Sequence, residues 1–179
     1  MPAMTFTPGL APPRPTVGFL LAHPAHFIAL GCGAGLARKA PGTAGTLWAW
    51  VAWLLLARWL TPAQQGWLVA ASLPVGWWAC TVAARNLQTT DPGNVVWDEV
   101  AAFWLVLWLA MPMGFWGQFA AFGLFRFFDA AKPGPVGWAD QLFHGRLGPA
   151  GGFGIMLDDL VAAFCTLLAL AAWRFHFPW

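Results

Sequence analysis

Long apolar runs alternate with short polar stretches along this chain, and the runs have the length of helices. Four of them predict helices at 46–60, 66–84, 96–111 and 115–131. A last run, 154–173, reads GIMLDDLVAAFCTLLALAAW and predicts one more. Because a membrane-spanning helix needs about 20 mostly apolar residues, the pattern predicts an all-α, membrane-embedded bundle. We expect about four or five spanning or partly embedded helices.

The N-terminal part follows a different pattern. Residues 1–16 are rich in proline and predict a flexible tail, without the basic-then-apolar order of a secretory signal. The apolar piece 17–36 is interrupted by glycines and predicts an interfacial or re-entrant helix. Residues 132–153 carry glycine, proline and charge and predict a loop. We therefore expect one compact helical domain over 17–179.

Composition supports a membrane protein. Hydrophobic residues make up 59% of the chain and charged residues 9%, against about 25% charged residues in soluble domains. The fourteen tryptophans fit an interfacial belt. A net charge of +2 is too small to indicate a nucleic-acid partner, and nothing in the sequence indicates an oligomeric state.

The acids are confined to one region of the chain. All seven lie between Asp91 and Asp159. If the first four runs form two hairpins, the ends that carry these acids fall on one face, together with most of the basic residues. The positive-inside rule then predicts that this face is cytoplasmic.

Two short stretches on that face precede apolar helices. The stretch APGTAGT, 40–46, combines glycines with Thr43 and Thr46, and amide groups at a helix start attract anions. The alternative is an ordinary cap in which Thr43 or Thr46 is the N-cap residue. The stretch DPGNVVWDE, 91–99, places three carboxylates ahead of a helix. There the alternative is a favourable interaction of Asp98 and Glu99 with the helix dipole.

Two further stretches lie at helix ends. Arg126, Asp129 and Lys132 are spaced by three in FRFFDAAKP, 125–133, and so share one side of a helix. They predict either a phosphate clamp beside a metal-binding acid or a simple ladder of ion pairs. The pair Asp158-Asp159 lies in an apolar run, where acids are costly and usually functional. The alternative is a structural ion pair with Arg126 or Lys132.

Together these stretches combine oxygen ligands with basic groups. Hard carboxylate ligands suit Mg²⁺, and Mg²⁺ beside Arg and Lys indicates phosphate chemistry. His144, in the polar stretch, is a candidate acid or base, although a solvated loop histidine is the simpler interpretation.

The four motifs resemble those of the phosphatidylglycerophosphatase A family of bacterial membrane lipid phosphatases. The matching pieces are APGTAGTL (40–47), DPGNVVWDE (91–99), FRFFDAAKP (125–133) and GIMLDD (154–159), and they occur in the family's order. The resemblance covers about residues 24–173. It implies a compact helical bundle that hydrolyses phosphatidylglycerophosphate to phosphatidylglycerol and phosphate with Mg²⁺, at the cytoplasmic face of the bacterial inner membrane.

The resemblance also implies roles for individual residues. The expected catalytic residues are Asp98, Glu99, Asp129, Asp158 and Asp159. The expected Mg²⁺ ligands come from Asp91, Glu99, Asp129, Asp158 and Asp159. The expected phosphate-binding residues are Thr43, Gly45, Thr46, Arg126 and Lys132. The sequence does not distinguish water from an aspartate as the nucleophile.

Two other classes of protein are compatible with the apolar helices. In a small transporter or channel, the same acids would line an ion path. Against this, they cluster at one face and no internal repeat of a transporter type is visible. A non-catalytic membrane scaffold fits least, because it gives no reason for acids and bases to gather.

Overall fold

The computed structural model describes residues 14–176, and over that range the chain is helical without any strand. Most of the predicted tail, residues 1–13, lies outside the described residues. The elements are α1 (Val17–Ala22), α2 (Pro24–Ala29), a 3₁₀ helix (Gly31–Leu36), α3 (Pro41–Leu56), α4 (Pro62–Leu87), α5 (Trp97–Leu109), α6 (Phe115–Ala131), α7 (Pro135–Leu142) and α8 (Pro149–His176).

Helix α5 lies at the centre of the bundle and packs against α3, α4 and α8. Its residues from Asp98 to Trp104 are all buried, with Phe103 fully enclosed. Two buried tryptophans satisfy their polar atoms inside the bundle: Trp104 Nε1 donates to the carbonyl of Ala49 at 2.9 Å, and Trp50 Nε1 donates to Gln118 at 2.7 Å. Apolar packing together with these hydrogen bonds fixes the ends of the helices relative to one another.

Two helices have the length and hydropathy of a membrane span. They are α4, with 26 residues, and α8, with 28 residues. At 1.5 Å per residue, α3 (16 residues) and α6 (17 residues) are only about 24 and 26 Å long, against a hydrocarbon core of about 30 Å. The all-α prediction is confirmed, whereas the count of four or five spans is not.

Several predicted helix boundaries were wrong, and the reason is local. The stretch 40–46 is not a loop before a helix, because α3 begins at Pro41 and Ala40 is its N-cap in a left-handed conformation (φ 45°). The expectation that Thr43 or Thr46 caps this helix is therefore wrong. Helix α4 begins four residues earlier than predicted, because Thr61 and Gln64 form a capping box.

The predicted loop 132–153 was wrong in its central part. It contains α7 and the first residues of α8. Pro135 and Pro149 stand in the first turn of these two helices, where proline is favoured, so the prolines that indicated a loop are helix starts. The interrupted segment 17–36 does form short helices, broken at Cys32 and Gly33 by positive φ angles.

Candidate active site

A buried cluster of carboxylates lies where α5 begins and α8 passes it. Oxygen atoms of Asp98, Glu99 and Asp159 lie within 4.8 Å of one another. All three side chains are buried, with Asp159 only 3% exposed. We call these three residues the acid cluster.

Asp129 extends the acid cluster from α6. Asp159 is within hydrogen-bonding reach of Asp129, and Asp129 in turn accepts a hydrogen bond from Arg126 Nη1. The same Nη1 atom lies 3.6 Å from Glu99 Oε1 and 3.4 Å from Thr46 Oγ1. With Asp129 and the three residues of the acid cluster all ionised, these four carboxylates and Arg126 together carry a formal charge of 1 − 4 = −3.

The first turn of α3 completes this site. A Cβ built on Gly42 would lie 2.1 Å from Glu99 Oε1, so the helix start directly abuts the carboxylate. The Thr46 hydroxyl donates to the carbonyl of Gly42 at 3.0 Å, and the Ala44 amide donates to Ala40. Pro41 has no N–H group, so the amides of Gly42 and Thr43 are left without a backbone acceptor within the described part of the chain.

Gly45 lies further into the helix. A Cβ on Gly45 would lie 2.7 Å from Val96 Cβ, so this glycine allows α3 to approach the start of α5. This packing gives Gly45 a structural reason to be small, apart from its predicted contact with phosphate.

The acid cluster is under-neutralised. Glu99 Oε2, Asp159 Oδ1 and Arg126 Nε are buried without a hydrogen-bond partner among the described residues. Burial, followed by the charges of Glu99 and Asp159, raises the pKa of Asp98. Burial is also the largest effect on Glu99 and raises its pKa. Unpaired carboxylate oxygens at this spacing fit a hard divalent cation, which would supply the missing positive charge.

A second group of acids faces the other side of α8. Lys132, in a left-handed conformation (φ 45°) at the end of α6, donates hydrogen bonds to Asp140 and to Asp158 Oδ2, the latter at 2.6 Å. Burial opposes the charge of Lys132, but these two carboxylates outweigh it and raise the pKa of the ammonium group. Lys132 therefore remains a cation at neutral pH.

The two aspartates of α8 thus have different partners. Adjacent helical residues point about 100° apart, and here Asp159 reaches the acid cluster while Asp158 reaches Lys132. Of the two ion pairs considered for Asp158-Asp159, the one with Lys132 is found, at Asp158. Arg126 instead pairs with Asp129 within α6, as the ladder of ion pairs predicted. Asp91 lies apart from the acid cluster, in an exposed position that borders a cleft beside Asp158.

Asp140 was missed by reasoning from the sequence. It lies in α7, which the sequence suggested to be a loop, and the Lys132 contact depends on the turn between α6 and α7. The available signal was that Asp140 is one of only seven acids, all in one region of the chain.

Carboxylates beside a guanidinium group, an ammonium group and free helix amides are typical of hydrolases that act on phosphate esters. The chain also matches a known family: the model of phosphatidylglycerophosphatase A covers residues 27–174. The chain therefore belongs to the phosphatidylglycerophosphatase A family and is a phosphatase.

Individual relatives agree with this assignment over most of the chain. A protein named phosphatidylglycerophosphatase A from Escherichia coli (strain K12) is 35% identical over 160 residues, 88% of each chain. One of the same name from Haemophilus influenzae is 35% identical, over 85% of this chain and 90% of the relative. A putative phosphatidylinositol-3-phosphatase from Bacteroides thetaiotaomicron is 36% identical, over 82% and 92%. No solved structure matches the chain.

Proposed function

We propose that this phosphatase removes the terminal phosphate of phosphatidylglycerophosphate and leaves phosphatidylglycerol in the membrane. The family assignment carries the proposal, and the under-neutralised acid cluster supports it. The diacylglycerol tails remain in the bilayer beside α4 and α8, while the headgroup reaches the end of the bundle where the acids lie.

We propose Mg²⁺ as the cofactor, held by Glu99 and Asp159 with Asp98 or Asp129 as neighbouring ligands. Their unpartnered buried oxygens and hard donor atoms suit this cation. When bound, Mg²⁺ neutralises the carboxylates and polarises the phosphoryl oxygens. The chain's own residues then orient the substrate and handle the proton.

Basic and amide donors next to the acid cluster bind the phosphate in this proposal. Among the described residues, the buried Nε of Arg126 has no hydrogen-bond partner. The amides of Gly42 and Thr43 face the same region from the helix start. The exposed Thr43 hydroxyl lies on this turn as a further donor, whereas the buried Thr46 hydroxyl already donates to the carbonyl of Gly42 and positions the turn. These donors stabilise charge on the phosphoryl oxygens as the bond to the glycerol oxygen breaks.

Water is the proposed nucleophile. A carboxylate of the acid cluster accepts the proton of water as the new P–O bond forms, and the bond from phosphorus to the glycerol oxygen breaks. The leaving alcohol takes up a proton and becomes a free hydroxyl of phosphatidylglycerol. The ion pair of Asp158 with Lys132 joins α8 to the end of α6 and so fixes the two helices beside the reacting group.

The bases near the acid cluster favour a cytoplasmic orientation. Arg85 lies in the last turn of α4 and Lys132 is the C-cap of α6, on the side of the site. By the positive-inside rule, we propose that this face is cytoplasmic and that the enzyme lies in the bacterial inner membrane.

The test is an assay of purified protein, with Mg²⁺ in the buffer, in detergent micelles that contain phosphatidylglycerophosphate. We expect inorganic phosphate and phosphatidylglycerol to appear in equal amounts, without a trapped phosphoenzyme. Absence of phosphate release under these conditions would overturn the proposal. An acid-stable, labelled phosphoenzyme would overturn the choice of water as nucleophile.

A further inference from the structure

A polar cleft opens next to the acid cluster, between α7, the start of α8 and the loop that joins α4 to α5. Its walls include Thr90, Asp91, Asp140, His144 and Asp158. We call it the α7 cleft. Asp158 borders it while the next residue, Asp159, belongs to the acid cluster, so the α7 cleft and the acid cluster lie on either side of one turn of α8.

Charge makes the α7 cleft unsuitable for a phosphate group. Three carboxylates line it. Within the range 14–176, two of them, Asp140 and Asp158, already share the ammonium group of Lys132. A phosphate there would face like charges. The ammonium group of Lys132 already neutralises part of the charge of Asp140 and Asp158. A second metal ion is therefore less favoured in the α7 cleft.

The polar atoms of the α7 cleft suit neutral hydroxyl groups. Carboxylates accept hydrogen bonds from hydroxyls, while threonine and neutral histidine can both donate and accept. Asp158 Oδ1 is buried and has no hydrogen-bond partner in the described part of the chain. This oxygen can accept a hydrogen bond from a hydroxyl group, and a neutral hydroxyl adds no charge to the α7 cleft.

The rim adds a group of opposite charge. The guanidinium group of Arg146 lies 5.6 Å from the ring centre of Phe143, and Phe143 is a wall residue of the α7 cleft. From the inside of the α7 cleft to its edge, hydrogen-bond acceptors therefore come first and a cation, Arg146, comes next. This order matches a ligand in which a hydroxyl-bearing segment is followed by an anionic phosphodiester.

We propose that the α7 cleft binds the hydroxyl-bearing segment between the phosphate that is removed and the phosphodiester of the lipid. The proposal rests on the proposed function and adds the part of the site that distinguishes such a headgroup from a phosphate attached directly to diacylglycerol. Thr90 and His144 are specificity residues in this account, and neither takes part in the chemical step.

The test compares kcat/KM for phosphatidylglycerophosphate with kcat/KM for phosphatidic acid of the same acyl chains, which lacks the segment. Loss of one hydrogen bond to a neutral group corresponds to about a two- to tenfold effect. We therefore expect Thr90→Val and His144→Ala each to lower the ratio of kcat/KM for phosphatidylglycerophosphate to kcat/KM for phosphatidic acid by about two- to tenfold. If wild-type protein does not hydrolyse phosphatidic acid, the binding of this lipid is measured instead as its inhibition constant against phosphatidylglycerophosphate. The variants should then leave that constant unchanged while they lower kcat/KM for phosphatidylglycerophosphate.

Thr89→Val is the matched control, because the Thr89 hydroxyl donates to the carbonyl of Leu87 and does not line the α7 cleft. We expect this variant to leave the ratio unchanged.

Three results would overturn the proposal, and they are distinguishable. If wild-type protein releases no phosphate from phosphatidylglycerophosphate, the proposed function itself fails. If that activity is present but Thr90→Val and His144→Ala weaken both lipids equally, the α7 cleft does not read the headgroup. If the variants change only the Mg²⁺ concentration needed for activity, the α7 cleft is a cation site.

Discussion

Gly42 holds the first turn of α3 against the carboxylate of Glu99, and this contact leaves no room for a side chain. A Cβ at this position would lie 2.1 Å from Glu99 Oε1 and 3.3 Å from Arg126 Nη1. The neighbour is the end of a flexible side chain, so the carboxylate can move away while the helix stays in place. The constraint therefore acts on the geometry of the site more than on the fold.

Gly42→Ala is predicted to lower phosphatase kcat/KM by about 100-fold, the cost of displacing a reacting group by about 1 Å. The thermal unfolding midpoint in detergent should change little. Gly123→Ala is the matched control, because a Cβ there meets nothing within 4 Å. That variant should keep full activity and gain up to about 1 kcal/mol of helix stability. Equal activity in the two variants would contradict the contact with Glu99.

His26 is a second residue whose chemistry depends on its surroundings. Its ring is buried and stacks on Phe19, with centroids 3.9 Å apart. Nδ1 lies 2.8 Å from the carbonyl of Phe19, and Nε2 lies 2.7 Å from Asn86 Nδ2. The neutral ring, with its proton on Nδ1, satisfies both contacts, whereas a protonated ring would oppose an N–H group to the amide of Asn86.

Burial lowers the pKa of His26 and is the largest effect; the hydrogen bond to the carbonyl of Phe19 opposes it, and the charge of His23 adds a smaller lowering. The unfolded chain therefore binds a proton more readily than the folded one, and stability should be lost as the pH falls below about 6.5. Unfolding midpoints between pH 5 and pH 8 measure this. His26→Gln should flatten the profile, and an unchanged slope would show that other groups cause it.

At the scale of elements, small residues set how closely the long helices approach. A Cβ on Gly152 would lie 2.0 Å from Thr81 Oγ1 and 2.9 Å from Thr81 Cα, so α8 and α4 are nearly in backbone contact. Thr81 cannot retreat, because its hydroxyl donates to the carbonyl of Trp77 and the helix itself is in the way. This contact positions the start of α8, and with it Asp158 and Asp159.

Gly152→Ala is accordingly predicted to destabilise the protein by about 1–3 kcal/mol, the usual cost of overpacking. A thermal unfolding midpoint in detergent, compared with that of Gly123→Ala, checks the prediction. A stable Gly152→Ala protein with full activity would mean that α4 and α8 are further apart than the structure shows.

Sequence patterns predicted elements well where apolar periodicity dominates and poorly where proline or glycine does. The predicted run 115–131 coincides with α6, because Gly114 and Lys132 bound a mostly apolar stretch. By contrast, α7 was missed because its short sequence begins with proline and follows Gly134. Asp140 was missed with it, since a residue assigned to a loop has no predictable partner.

At the scale of the whole molecule, the acids meet because the starts of α3 and α5 and the end of α6 lie beside the part of α8 that carries Asp159. The sequence could indicate that these residues lie on one face, but it could not separate Asp158 from Asp159. That separation comes from the position of α7, which brings Asp140 and Lys132 to one side of α8. The acid cluster on the other side is then left without sufficient positive charge.

The central claim is that the acid cluster holds a divalent cation that the phosphatase requires. The most direct test is a Mg²⁺ titration of phosphate release from phosphatidylglycerophosphate, for wild-type protein and for Asp159→Asn. Thr166→Val, in the same helix with its hydroxyl bound to the carbonyl of Ala162, controls for effects on α8. The account predicts that EDTA abolishes wild-type activity and that Asp159→Asn is at least about 100-fold slower at every Mg²⁺ concentration. Activity that persists in EDTA, or an Asp159→Asn protein as active as Thr166→Val, would contradict it.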